Sequence, residues 1–116
     1  MGIPYIEGKV MGPLGEDYVR FLVDSGATYT VLLEKVWKTI GLTPLREHDF
    51  TLADGTVIKR KVSECRISLP QGEAHTPVVL GEDDDHAVLG VVTLEILGLV
   101  LNPFNRKLQP MRMLLI

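Results

Sequence analysis

A carboxylate, a hydroxyl and a glycine interrupt an apolar run at residues 22–28, Leu22-Val23-Asp24-Ser25-Gly26-Ala27-Thr28. An ionised carboxylate taken out of water is costly unless it is paired or neutralised, so Asp24 needs a reason to be there. Two readings stand. Asp24 or Ser25 can cap a turn, with Gly26 supplying positive φ. Alternatively the chain presents the carboxylate for chemistry, as a general acid or base. The flanks favour the second: Phe21, Leu22 and Val23 precede the acid, and Ala27, Thr28 and Val31 follow it, so a buried strand rather than a polar loop delivers the carboxylate.

The other candidate groups are weaker. Asp54-Gly55-Thr56 repeats the residue types, but Ala53 precedes it and Lys59 and Arg60 follow, which suits a hairpin tip. Asp17 and Asp49 sit in polar surroundings without the glycine. The run Glu82-Asp83-Asp84-Asp85-His86 lacks the alternating spacing and glycine of a calcium loop and reads as a solvated turn rather than a metal site. Cys65 stands alone, which excludes an internal disulfide and a CxxC metal motif and suits a small buried hydrophobe.

The elements that must position Asp24 are mostly strands. Val19, Phe21 and Val23 alternate, as do Ile67 and Leu69, and residues 57–62 set apolar side chains against Lys and Arg. Glycine and proline divide the chain into short pieces. The sharpest hairpin signal is FTLADGTVIK, where Asp54-Gly55 suits a type I′ turn with both central residues at positive φ. Its long arms would let a ribbon project over a cleft, although a plain connector fits the same residues. Two short helices are expected. Leu33, Val36, Trp37 and Ile40 share one face before Gly41, and Leu94 and Leu97 share another before Gly98.

Composition limits the partners. The 116 residues, 46% hydrophobic and 23% charged, make one globular domain, residues 1–116, with a single core. A net charge of −3, with Lys59-Arg60-Lys61 as the densest basic run, argues against nucleic acid. The longest apolar region, residues 88–101, is broken by Glu95 and is short of the roughly 18–20 residues that span a bilayer, so no membrane partner is expected. The start MGIPYI lacks a signal-peptide pattern and has Ile6 where a myristoylation motif wants Ser or Thr. With a single cysteine, this points to a cytoplasmic chain.

Residues 22–28 resemble the active-site motif of retropepsin-like aspartic proteases, and the ending LNPFNRKLQP resembles their prokaryotic and retroelement branches more than the viral one. Val88-Leu89-Gly90, followed by Leu94 and Gly98, is similar to the family's second signature, and the interval of about 60 residues between the two also fits. The Asp54-Gly55 hairpin falls where the family has its flap. The resemblance implies a mainly β fold, a closed barrel-like acid-protease subunit with one or two short helices, working as a homodimer. It implies Asp24 as the catalytic residue, with Ser25, Gly26, Ala27 and Thr28 building its loop and Ser25 bracing the two loops across the two-fold axis. Ala53, Asp54, Gly55 and Thr56 would form a flap over substrate. Val88, Leu89, Gly90 and the loop 82–87 would wall the pockets.

The pattern departs from the family in two places. Ser25 replaces the commoner Thr and keeps its hydroxyl, and Val91 and Val92 stand where retroviral members carry an interface Arg and retroelement relatives often an Asp. In retroviral relatives the terminal strands interleave; MRMLLI is apolar enough to do so or to pack on its own subunit.

An aspartic protease needs two carboxylates sharing one proton, and this chain offers one suitable Asp. A two-fold axis beside Asp24 would supply the other from a second copy. The expected activity is therefore aspartic endopeptidase hydrolysis of a peptide or protein substrate. The alternatives are a dimeric module of the same fold that binds protein or peptide without turnover, and a small metabolite-binding barrel.

Overall fold

The computed structural model describes residues 4–116, so the first half of the MGIPYI segment lies outside the described residues. Alternation of buried and exposed side chains builds the first strands, β1 (Tyr5–Gly12) and β2 (Gly15–Val23), in which Val10, Val19, Phe21 and Val23 point inward. They pair antiparallel through a tight turn. After the Asp24 loop come β3 (Thr30–Leu32) and helix α1 (Glu34–Thr39). A polar strand, β4 (Arg46–Thr51), leads into the long β5 (Val57–Leu69), which returns as β6 (Gly72–Leu80). The chain ends with β7 (Val88–Leu89), helix α2 (Val91–Ile96), β8 (Leu99–Leu101) and β9 (Leu108–Pro110).

The main sheet runs β1-β2-β7-β3-β6-β5-β4, and β1 also pairs with β5. That additional pairing, Lys9 to Met11 against Arg66 to Ser68, closes the sheet into a barrel. Closure removes most free edges and gathers Val10, Phe21, Leu32, Ile67 and Leu89, all fully buried, into one core. The expected mainly β, barrel-like subunit is what forms.

Both expected helices are present, six residues each, and no helix among the described residues is long and apolar enough to cross a membrane. Val36 and Ile40 of the first face are buried, and Trp37 packs at the core margin while its indole N–H donates to the Gly81 carbonyl at 2.8 Å. On the second, Leu94 is buried and Leu97 packs against the core. Cys65 is a buried free thiol, as its isolation suggested.

β5 has a different neighbour along each half. Its pairing with β6 ends at Lys61↔Leu80, whereas its pairing with β4 runs out to Thr51↔Val57. Beyond Lys61 the β4–β5 pair is therefore a two-stranded ribbon without support from β6, about four residue pairs or roughly 13 Å long before its tip. The tip differs from the expected type I′ turn. Asp54 keeps negative φ, and Gly55 alone is positive, at 89°. Gly55 N–H donates to the Leu52 carbonyl and Leu52 N–H to the Thr56 carbonyl, a three-residue loop with the glycine in the left-handed position. The Asp54 carboxylate accepts the Thr56 N–H at 2.8 Å, which stabilises this loop over the two-residue alternative.

Candidate active site

β2 ends at Val23, and the chain turns immediately. Ala27 N–H donates to the Asp24 carbonyl at 3.1 Å, and Gly26 N–H donates to Asp24 Oδ1 at 2.8 Å. The local reading of Asp24 as a turn former is thus correct as geometry, but it engages only Oδ1. Gly26 does not supply positive φ. Its contribution is room, since a Cβ there would lie 3.2 Å from Asp24 Oδ1. Asp24, Ser25, Gly26 and Thr28 are exposed and Ala27 is half-buried. The desolvation problem posed by the apolar run therefore does not arise within one chain, because the strand stops before the acid and the turn carries it to the surface.

The loop is held from behind by the second motif. β7 lies parallel to β2, pairing Leu22 with Val88 and Val23 with Leu89, and touches β3 on its other side at Val31. Asp24 N–H donates to the Leu89 carbonyl at 3.2 Å. The first helical N–H groups of α2, at Val91 and Val92, donate to the Ala27 and Thr28 carbonyls at 2.8 and 3.0 Å. Gly90 is required between them by close approach: a Cβ would lie 2.5 Å from the Tyr29 carbonyl carbon, closer than any side chain is accommodated.

Between this loop and the ribbon lies a cleft of about 630 Å³, within the range of ligand-binding pockets. Gly26, Ala27, Thr28 and Tyr29 form its floor, and His48, Phe50, Leu52 and Ile58 of the ribbon its roof. Val88, Asp85 and His86 close one side. The expected wall needs correction in two places. Leu89 is fully buried in the core and Gly90 is packed beneath Tyr29, because strand alternation turns only Val88 toward the cleft. The ribbon meets the cleft through its arms, whereas Ala53, Asp54, Gly55 and Thr56 are exposed at the tip and do not line it.

Two links tie the ribbon to the body, and the sequence reading missed both. Tyr29 sits edge-on to Phe50 and His48, with ring centroids 6.0 and 6.4 Å apart, and those two rings meet each other at 6.4 Å. On β5, opposite His48, Arg60 is mostly buried and faces Asp85 at 3.6 Å and Glu82 at 3.8 Å. Its Nε has no hydrogen-bond partner among the described residues, so the charge is balanced by the acidic loop rather than by a close contact. Tyr29 directly follows the motif, and His48 and Phe50 alternate on β4; those positions were the available signal.

The other acids around the cleft are engaged. Asp49 accepts a hydrogen bond from Lys59 Nζ at 2.9 Å, and Asp85 accepts the Glu82 N–H at 2.8 Å while facing Arg60. At the tip, hydrogen bonds from Thr56 hold the Asp54 carboxyl below its ordinary range. Among the described residues no group of three or more metal-ligating side chains comes together.

A comparison with curated proteins gives no match. A family profile described as gag-polyprotein putative aspartyl protease matches residues 10–96. The match takes in the Asp24 loop, the ribbon and the β7–α2 backbone that carries the loop, and the barrel has the mainly β architecture of the acid-protease fold. By that match over three quarters of its length, the chain belongs to the gag-polyprotein aspartyl protease family.

Proposed function

We propose that the chain is an aspartic endopeptidase that works as a homodimer, with Asp24 from each copy forming one catalytic dyad. The observation that carries this reading is the isolation of Asp24. It is exposed beside the cleft whose floor its own loop forms from Gly26 to Tyr29, and among the described residues it accepts the Gly26 N–H but pairs with no cation, whereas the two carboxylates that line the cleft, Asp49 and Asp85, face Lys59 and Arg60. A second copy related by a two-fold axis supplies a partner of equal standing.

Two carboxylates about 3 Å apart cannot both ionise, so they hold one proton between them. The ionised one accepts a proton from water, and that water attacks the scissile carbonyl. The protonated one donates a hydrogen bond to the carbonyl oxygen as the tetrahedral intermediate forms. Collapse of the intermediate then passes a proton to the leaving amine. The reaction needs no metal or cofactor, because the dyad itself activates the water. Gly26 N–H steadies Asp24 Oδ1 throughout. Ser25 braces the two loops across the axis, and the ribbon with its Ala53, Asp54, Gly55 and Thr56 tip closes over the substrate as a flap.

The exposed apolar tail supports association between copies. Met111 is held to the body by its N–H on the Gly98 carbonyl, but Met113, Leu114, Leu115 and Ile116 beyond it are exposed in one chain, an apolar surface that a second copy could cover.

The test is Asp24→Asn. The amide removes the general base together with the like-charge repulsion. Hydrolysis of a denatured-protein or peptide library, run from about pH 3 to 8, should be lost while the dimer stays folded and at least as stable. Binding of pepstatin, a mimic of the tetrahedral intermediate, should be lost with it. Hydrolysis by Asp24→Asn near the wild-type rate would refute the reading. Peptide binding without turnover by the wild type would favour a silent binding module.

A further inference from the structure

Three hydroxyls are buried behind the Asp24 loop: Thr30 on β3, Thr76 on β6 and Thr93 on α2. Thr30 Oγ1 lies 2.6 Å from Thr93 Oγ1, which lies 2.8 Å from Thr76 Oγ1. At one end, Gly90 N–H donates to Thr30 Oγ1 at 3.1 Å; at the other, the Thr76 hydroxyl donates to the Pro77 carbonyl at 3.3 Å.

The Pro77 end sets the direction of the chain of bonds, because a carbonyl can only accept. Each hydroxyl carries one proton. With the Thr76 proton on Pro77, Thr93 must donate to Thr76, and Thr30 must then donate to Thr93. Every proton is used, and the line runs from the Gly90 backbone into the β6 strand. Gly90 in turn sits between the Leu89 carbonyl, which receives Asp24 N–H, and the Val91 and Val92 N–H groups, which hold Ala27 and Thr28. One four-residue segment therefore anchors the loop on one side and the hydroxyl line on the other.

We propose that Thr93, acting through Thr30 and Gly90, is a positioning residue for Asp24, and that the hydroxyl line sets where the catalytic loop stands relative to the barrel. The inference rests on the protease reading above. A dyad that shares a proton tolerates little misplacement, and an error of about 1 Å from a distant change can cost about 10²-fold in rate. The Asp24 loop is exposed and makes its own contacts mainly through backbone, so its placement is inherited from the segment behind it. Buried hydroxyls of this kind rigidify when all are satisfied and destabilise when one is left without a partner.

The experiment compares Thr93→Val, which keeps the shape and removes the hydroxyl, with Thr93→Ser, which keeps the hydroxyl, both in the full chain. Steady-state kinetics on a cleaved peptide are read together with amide hydrogen exchange at Val91 and Val92 and thermal melting. Thr93→Val should lower kcat about tenfold or more with KM changed less than about twofold, since placement rather than substrate contact is affected. Exchange at Val91 and Val92 should rise about tenfold or more, while the β1–β2 ladder is unchanged. Thr93→Ser should return both toward wild type.

A lower melting temperature for Thr93→Val with wild-type kcat and exchange at the assay temperature would overturn the proposal. If Thr93→Val does not fold, Thr76→Val, which removes the far hydroxyl that accepts from Thr93 and donates to Pro77, should show the same changes at smaller size, and its failure to do so overturns the proposal equally. Absence of hydrolysis by the wild type refutes the protease reading instead, and the exchange data still decide whether the hydroxyl line holds the loop.

Discussion

Replacing Tyr29 by Leu should loosen the ribbon over the cleft without emptying the core. Tyr29 is the body's side of the aromatic link, with edge-to-face contacts to Phe50 at 6.0 Å and His48 at 6.4 Å. Such pairs contribute about 0.5–1.5 kcal/mol each beyond their buried area. Two of them sum to about 1–3 kcal/mol, and because His48 is exposed the lower half of that range applies, about 1–2 kcal/mol. If the ribbon must close to hold substrate, each 1.4 kcal/mol lost shifts the closing equilibrium by about tenfold, so KM should rise roughly 5- to 30-fold. Peptide cleavage kinetics measure this directly, and amide exchange along β4 and the first half of β5 measures the closing equilibrium without substrate. Tyr29→Phe keeps the ring and should leave that exchange as in the wild type. A Tyr29→Leu protein with unchanged KM and unchanged ribbon exchange would refute the idea that this link restrains the ribbon.

Three further outcomes are expected. Gly55→Val should reduce turnover more than it reduces the melting temperature: the site is open, with nothing within 4 Å of a Cβ, but φ of 89° costs a side chain about 1–2 kcal/mol and redirects the tip; a fall in stability with full activity would make the ribbon a connector only. Burial pushes the Cys65 thiol up to about 12 from an ordinary 9.0, so iodoacetamide should label it only in denaturant. The folded chain then retains a proton that the unfolded chain releases, and stability should fall as pH rises from about 9 toward 12, a slope that Cys65→Ala should remove in alkaline urea titrations. Finally, activity should disappear on dilution in step with the dimer–monomer equilibrium from sedimentation, and a fully active monomer would exclude a shared dyad.

What could be read from the residues was what local spacing encodes. Val19, Phe21 and Val23 alternate because one face of β2 meets the core, and the Leu33–Ile40 and Leu94–Leu97 faces follow the turn of a helix. The same alternation turns Leu89 inward and Val88 outward, so the error over the cleft wall lay in treating a motif as a surface. The tip conformation depended on a side chain, because the Asp54 carboxylate takes the Thr56 N–H and selects a three-residue loop. Other features had no local trace. Thr30, Thr76 and Thr93 are ordinary β-branched residues until three elements bring their hydroxyls within 3 Å. Arg60 reads as part of a basic surface run, and only the fold sets it against the loop of Asp85 and Glu82.

The insertion of β7 between β2 and β3 has a consequence in time. The first two strands, and the β4–β5–β6 meander, are joined by short turns and can pair as soon as they leave the ribosome. β7 and the start of α2 cannot, because Leu22 waits for Val88 and the carbonyls of Ala27 and Thr28 wait for Val91 and Val92. Some 70 residues separate the Asp24 carboxylate from the backbone that holds it, and at roughly 5–20 residues per second their synthesis takes about 4–14 s. The nascent chain therefore carries the Asp24 carboxylate through that interval without a framework for it, and a product truncated before residue 92 would lack the framework permanently. On the proposed protease reading, Asp24 has no fixed place during the interval in which the unfolded chain is the nearest substrate.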